Sequence, residues 1–327
     1  MIAVLGVDGG NTKTDYLLHD MSGRLLAHLR AGTCSHEAIG LEGARREMGA
    51  RIETLLQMAK LRQSDIAAAA FGLAGVDQRE QQAALSAVIR GLGYGHSVVM
   101  NDSFLGLKAG SESGTGVCSI NGTGTAAGGI DKHGRWMQIG GLGAPSLDNA
   151  GGSYIAAQVN CAVYGEIYQF LPPTALTPLL LSLYRCVRED FHTAMSIHYQ
   201  TERAITPLDI ILKLFNACDQ ADPVALSIVR NVSDALARSA AGCAVRLDFG
   251  PVIPVVLIGS VWTKGRYTPM INAFRAQFNA LSHKQADIRV LDVPPASGSV
   301  LWAMENALGR VPAKDVRERV FNETRGL

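Results

Sequence analysis

Two glycine-rich turns, each framed by short apolar runs, limit what this chain can fold into. The first lies in Ala3-Val-Leu-Gly-Val-Asp-Gly-Gly-Asn-Thr-Lys-Thr-Asp-Tyr-Leu-Leu18, with apolar residues at 3–7 and 16–18 around a polar tip. The second is Asn121-Gly-Thr-Gly-Thr125, between runs at 116–120 and 126–130. Apolar β-formers around a Gly-rich break predict a β-hairpin in each case. In the first, Gly9 and Gly10 let the backbone approach a ligand closely, and inward N–H groups suit a phosphate. Asn11, Thr12 and Lys13 add neutral donors and one cation. Asp8 is a poor phosphate neighbour alone, but a sensible one if it faces a hydrated Mg²⁺. An ordinary surface hairpin is the alternative for the first turn taken alone.

The segments after the two hairpins repeat as well. The pattern after the first predicts a strand at 25–29, a helix at 37–60 and a strand at 66–73 buried on both faces. A helix at 78–91, a short buried strand at 97–100 and a helix running through Lys108 complete the half. This β-β-β-α-β-α-β-α order is that of an RNase H-like sheet. After the second hairpin come a strand at 135–139 and a helix at 151–170, then helices at 207–218 and 223–246. Strands at 254–259 and 288–291 and a helix at 296–308 close it, with 172–206 an insertion and 310–327 a charged, weakly helical tail. The predicted fold is α/β: two RNase H-like domains of duplicated topology, 1–113 and 114–327, facing an interdomain cleft. Each hairpin would then hold one end of a polyphosphate.

Composition removes other classes. A length of 327 residues with 47% hydrophobic content supports two cores. A net charge of +1 leaves no electrostatic footprint for nucleic acid or acidic lipid. Six scattered cysteines at 34, 118, 161, 186, 218 and 243 show no paired spacing, against a zinc or iron–sulfur framework and in favour of reduced thiols. No window reaches the length of a membrane span, and residues 1–7 lack the charged start of a signal peptide, so a cytoplasmic protein is expected.

Five strings fall in an order that resembles a known superfamily. Asp8-Gly-Gly-Asn-Thr-Lys13, Leu73-Ala-Gly-Val76, Asn101-Asp102, Asn121-Gly-Thr-Gly-Thr125 and Ile258-Gly-Ser-Val-Trp262 resemble the motifs of the actin/hexokinase/heat-shock-protein ATPases. Within it the chain is similar to the N-acetylglucosamine kinase family, grouped with the ATPases that activate benzoyl-CoA reductase. The resemblance implies an actin-like ATPase fold, ATP and Mg²⁺ as cofactors, a sugar substrate and a homodimer. Asp8 would hold Mg²⁺ through water, while Gly9, Gly10, Asn11, Thr12 and Lys13 approach the β- and γ-phosphates. Gly122, Thr123 and Gly124 match the second phosphate hairpin, and Gly259 and Ser260 the segment beside the adenosine. Asp102 matches the catalytic base. Thr125, Ala126, Gly141, Leu142, Gly143 and Asp148 match sugar-contacting positions, as do Ser35 and His36.

Two departures bear on the acceptor. The family has an Asn before the His where this chain has Ser35, and its Gly-Asp-Glu-Gly-Ser string is here Leu147-Asp-Asn-Ala-Gly151. Asn149 thus lacks the charge of the usual Glu. Asp102 can also be read as an N-cap, since Asn-Asp-Ser is a capping string. The implied activity is ATP-dependent phosphorylation of an amino sugar such as N-acetylglucosamine, or of a related hexose. An ATPase activator of a reductase or dehydratase would place paired cysteines on a cluster, and a sugar-sensing regulator would add a helix-turn-helix. His36, His133, His192 and His198 share no metal spacing.

Overall fold

A computed structural model describes residues 2–201 and 205–327. In its first half β1 (Ala3–Gly9) and β2 (Lys13–Asp20) form the hairpin, and β3 (Leu25–Gly32) extends it. Then come α1 (His36–Ala59), β4 (Ile66–Leu73), α2 (Arg79–Gly91), β5 (Ser97–Met100) and α3 (Ser103–Gly110). The sheet order is β3-β2-β1-β4-β5, antiparallel across β1–β2–β3 and parallel across β1–β4–β5.

The second half opens with β6 (Gly116–Asn121), β7 (Thr125–Ile130) and β8 (Trp136–Gly140), followed by α4 (Gly152–Tyr168). Helices α5 (Leu176–Tyr184) and α6 (Phe191–Thr201) fall in the expected insertion, whose residues 202–204 lie outside the described ones. Next are α7 (Pro207–Asp219), α8 (Pro223–Arg246), β9 (Val252–Ile258), α9 (Thr268–Ser282), β10 (Gln285–Val290), α10 (Ala296–Leu308) and α11 (Lys314–Thr324). The order β10-β9-β6-β7-β8 repeats the first sheet strand for strand, so the duplicated RNase H-like topology is present.

Side-chain alternation decides the layers of the first sheet. Leu5, Val7, Tyr16, Leu18 and Phe71 are buried on one face with Met48, Ile52 and Leu55 of α1 and Leu85 and Ile89 of α2. Gly6 and Asp8 belong to the other face. There α10 packs on β1 and β4, and a Cβ at Gly6 would stand 2.4 Å from Ser299 Oγ and 2.8 Å from Val300 N. A Cβ at Gly298 would stand 1.9 Å from the Leu105 carbonyl oxygen, so α3 and α10 cross almost backbone to backbone.

That packing draws the end of the chain into the first unit. The chain divides into Met1–Cys118 with Gly129–Trp136 and Leu291–Leu327, and Ser119–Gly128 with Met137–Val290. The last two helices belong to the first unit because the β1–β4 face needs α10 as its cover. The tail, expected to be weakly helical, is α11, whose buried Arg317 donates from Nη2 to the Ala109 and Ser111 carbonyls at 3.0 and 2.9 Å. Helix α9 is an addition to the expected elements, although Pro269 at its first turn and the buried Met270, Phe274 and Phe278 at four-residue spacing mark it. Helix α1 breaks its helical geometry at Gly40, with φ at 69°. Among the described residues no helix is long and apolar enough to cross a membrane.

Candidate active site

The first unit gathers carboxylates at the carboxyl ends of β1 and β5. Asp8 sits one residue from the end of β1, directly opposite Asp15 of β2, which in turn faces Arg30 of β3. Asp15 is buried and well paired: Arg30 Nε donates to its Oδ1 at 2.7 Å, Arg30 Nη2 to its Oδ2 at 3.1 Å, and His28 Nε2 lies 2.9 Å from Oδ1. Those bonds outweigh burial and hold the Asp15 carboxyl below its usual value. Asp8 has no such support. Burial, then the charges of Asp102 and Asp15, push it up to about 7, against the pull of Lys13 and Arg30.

Asp102 follows β5 and stands at the N-cap position of α3, yet its side chain makes no capping hydrogen bond. Asn101 takes that role, its Oδ1 accepting from Ser103 N at 2.9 Å while its Nδ2 donates to Asp77 Oδ1 at 2.9 Å. Burial pushes Asp102 up to about 6; the Ser103 amide pulls the other way and the Asp77 charge adds to the rise. A helix whose cap is filled by its neighbour leaves this carboxylate available for another task. A cavity of about 130 Å³ beside Asp8 is lined by Lys13, Asp15, His28, Arg30 and the start of α10.

The first turn is more closed than its two glycines suggest. Gly9 is required by packing, since a Cβ there would stand 2.7 Å from both Cys34 Sγ and Leu73 Cδ2. Gly10 N donates to Lys13 O at 2.9 Å, closing the turn rather than pointing outward. Asn11, Thr12 and Lys13 are exposed at the tip, with Lys13 Nζ 3.8 Å from Asp15 Oδ2. The loop after β3 is strapped to this turn: Thr33 Oγ1 donates to Gly10 O at 2.9 Å, and Cys34 N donates to Thr14 Oγ1 at 3.1 Å. Ser35 is buried, its Oγ without a partner, and His36 Nδ1 is likewise buried and unpartnered.

In the second unit Gly122 N donates to Gly124 O at 3.0 Å, leaving Thr123 and Gly124 exposed at the tip. The start of α4 grips this turn, Gly152 N donating to Gly122 O at 2.7 Å and Ser153 N to Thr123 O at 3.2 Å. Asn121 Oδ1 accepts from Gly151 N at 3.0 Å. Gly259, at φ 102°, backs onto the same turn: a Cβ would stand 2.5 Å from the Asn121 carbonyl. Only glycine combines that dihedral with that approach. Ser260 begins the wide turn Val261–Gly265.

Two positions expected at the sugar are engaged within the protein. Thr125 Oγ1 donates to Ile120 O at 2.8 Å. Asp148 Oδ2 accepts from Gly141 N at 2.9 Å, Gly143 N at 2.7 Å and Ser146 Oγ at 2.7 Å, so it shapes the glycine loop. Its other oxygen, Oδ1, is buried without a partner. Gly140 and Gly141 lie against Ala126, so Ala126, the loop and Asp148 come together, while Leu142 is 68% exposed. Sequence reasoning missed Asp15, His28, Arg30, Thr33 and Asp77. The hairpin register was the available signal, since it sets Asp15 opposite Asp8 and Arg30 opposite Asp15.

The carboxylates of Asp8 and Asp102 would suit a hard cation such as Mg²⁺, whose binding would relieve the crowding of carboxylates that raises Asp8. Among the described residues no group of three or more His, Cys, Asp or Glu converges on one point. The protein would therefore supply one or two carboxylates, with water and phosphate completing the shell.

Comparisons with known proteins agree with this architecture. A family model described as the BadF/BadG/BcrA/BcrD ATPase family matches residues 5–303. An N-acetylmuramic acid/N-acetylglucosamine kinase of Clostridium acetobutylicum is 32% identical over 144 residues, 43% of this chain and 46% of that one. An N-acetyl-D-glucosamine kinase of Dictyostelium discoideum is 25% identical over 197 residues, 57% and 61% of the two chains. The match therefore spans less than two thirds of either relative, 46% and 61% of their lengths. A solved structure from Chromobacterium violaceum, provisionally named an N-acetylglucosamine kinase, shares the fold with a TM-score of 0.61 at 22% identity, covering 92% of this chain and 98% of that one. With residues 5–303 under one model, the chain belongs to the BadF/BadG/BcrA/BcrD ATPase family.

Proposed function

We propose that this chain is an ATP- and Mg²⁺-dependent sugar kinase, transferring the γ-phosphate to a hydroxyl of an amino sugar such as N-acetylglucosamine or of a related hexose. The observation that carries the reading is Asp102, a carboxylate raised to about 6, freed from capping by Asn101, and near enough to Asp8 to raise it. The kinase names of two relatives support the acceptor class.

Phosphoryl transfer asks a protein for positioning and charge neutralisation more than for covalent help. Asp102, ionised at neutral pH, accepts the proton of the attacking hydroxyl as the bond to phosphorus forms. Asp8 would hold Mg²⁺ through water, and the ion would supply neutralisation of phosphate charge. Gly9 to Lys13 and Gly122 to Gly124 would each line phosphate, and Gly259 and Ser260 the adenosine. Ser35, His36, Thr125, Ala126, Gly141 to Gly143 and Asp148 would form the acceptor side. At Asp148 only Oδ1 is left for a sugar hydroxyl, because Oδ2 is spent on the loop. We place the enzyme in the cytoplasm as a homodimer.

The test is ATP consumption across glucosamine, N-acetylglucosamine and glucose, for the wild type and Asp102→Asn. Sugar-dependent ADP release, lost in the variant, is the expected result. ATP consumption indifferent to every sugar, with bound iron and acid-labile sulfide, would favour the reductase-activating ATPase instead.

A further inference from the structure

The hydroxyl of Thr33 stands between two parts of the site that the kinase reading assigns to different substrates. It donates to Gly10 O, in the first phosphate turn, at 2.9 Å, and accepts from Ser35 N, in the acceptor loop, at 3.0 Å. Beside it, Cys34 N donates to Thr14 Oγ1 at 3.1 Å, and Gly9 packs so tightly on Cys34 Sγ that no Cβ fits between them. Residues 9–14 and 33–35 are thus tied together, and the hydroxyl joining them is a side chain, open to substitution. The second unit has the same kind of tie. Its phosphate turn bonds directly to the end of the segment carrying Asp148, through Asn121 Oδ1 with Gly151 N and Gly122 O with Gly152 N. The acceptors and donors there are mostly backbone.

Resting on the kinase reading, we infer that Thr33 is a positioning residue that couples nucleotide binding at the first phosphate turn to ordering of the acceptor loop at Ser35 and His36. A hydroxyl that donates to one segment and accepts from the other transmits constraint in a way a methyl cannot. Phosphate seated on the turn fixes Gly10, Gly10 O fixes the Thr33 hydroxyl, and the hydroxyl fixes the Ser35 amide. The acceptor then meets a preformed loop and loses less of its binding energy to ordering it.

The experiment is amide hydrogen exchange on the full chain, with and without Mg²⁺ and the non-hydrolysable ATP analogue AMPPNP, for wild type, Thr33→Val and Thr33→Ser. In the wild type AMPPNP slows exchange at both 9–14 and 33–36. Thr33→Val keeps the protection at 9–14 and loses it at 33–36; Thr33→Ser, which retains the hydroxyl, keeps both. In kinetics Thr33→Val raises the sugar KM about fivefold with kcat within twofold, as expected for one neutral hydrogen bond. Should Thr33→Val not fold, Thr33→Ala is read in the same way. Equal protection at 33–36 in wild type and Thr33→Val overturns the inference while leaving the kinase reading in place. Absence of AMPPNP protection at 9–14 in the wild type overturns both.

Discussion

Asp102→Asn separates two roles that the same residue could have. If Asp102 were a helix cap, Asn, an equally good cap, would leave stability and chemistry both nearly unchanged. The structure predicts a change in both. Asn101 already caps α3, so no cap is removed. Asp102 instead carries an ionised group in a site that raises it from 3.8 to about 6. A folded-state pKa above the unfolded one means the native state binds more protons between those values, so stability is lost as pH rises through them. A rise of that size bounds the loss at roughly 3 kcal/mol, and partial exposure reduces it to about 1–3 kcal/mol. Asp102→Asn should therefore melt higher than wild type at pH 7 and equally at pH 3.5. Its kcat should fall by about 10²–10⁴, the worth of a general base, or roughly 2.7–5.4 kcal/mol of barrier. AMPPNP affinity should stay within about threefold, under 1 kcal/mol. Calorimetric melting at the two pH values, steady-state turnover and AMPPNP titration on one preparation read all three. A variant that turns over at the wild-type rate and melts with the wild type at both pH values would return Asp102 to the status of a cap.

Other outcomes rest on the same geometry. The acid limb of kcat/KM should fall away below about pH 6, because Asp102 works only when ionised; a profile flat down to pH 5 would remove it as the base. His19 is fully buried, its Nδ1 bonded to Gly23 O at 3.0 Å and its pKa lowered to about 4 by burial. The unfolded state therefore binds the extra proton between about 4 and 6.5, and stability drops as pH falls through that window; His19→Gln should flatten that slope in denaturant titrations. Gly298→Ala should destabilise by about 3 kcal/mol or more, since the new Cβ meets the Leu105 carbonyl rather than a side chain that can turn away; an unchanged urea midpoint would disprove so close a crossing. With Asn149 in place of an acid, kcat/KM for glucosamine should not exceed that for N-acetylglucosamine or glucose by more than about a hundredfold, roughly 2.7 kcal/mol.

The strands were legible because their constraint is local. Short apolar runs mark β1, β4, β5 and β9, and the Gly-rich breaks between such runs mark both hairpins, so the duplicated order could be read without coordinates. The fate of α10 could not. Its 13 residues read as a helix, but nothing local says that it covers the sheet begun almost 300 residues earlier; Gly6 and Gly298 carry that information only as a pair. At the site, Asp8 and Asp102 announced themselves as acids at the ends of buried strands. Asp15 and Arg30 were readable from hairpin register, which places them in one row with Asp8. What each hydroxyl bonds to lies beyond pattern. Thr125 turns back to Ile120, Asp148 spends one oxygen on its own loop, and Thr33 bridges two segments.

The placement of α10 has a consequence for how the chain is made. Residues up to Cys118 leave the ribosome with one face of their sheet bare, and its cover begins only at Leu291, after the 172 residues from 119 to 290. At about 5–20 residues per second that interval is on the order of ten to thirty seconds. The second unit, by contrast, is nearly complete when residue 290 appears, so synthesis favours its folding first. Meanwhile Gly6 and its neighbours on β1 and β4 wait as an open apolar surface, the kind that chaperones bind. A released fragment ending at Val290 would thus carry a complete second unit and a first unit still lacking its lid, and it should aggregate where the whole protein does not.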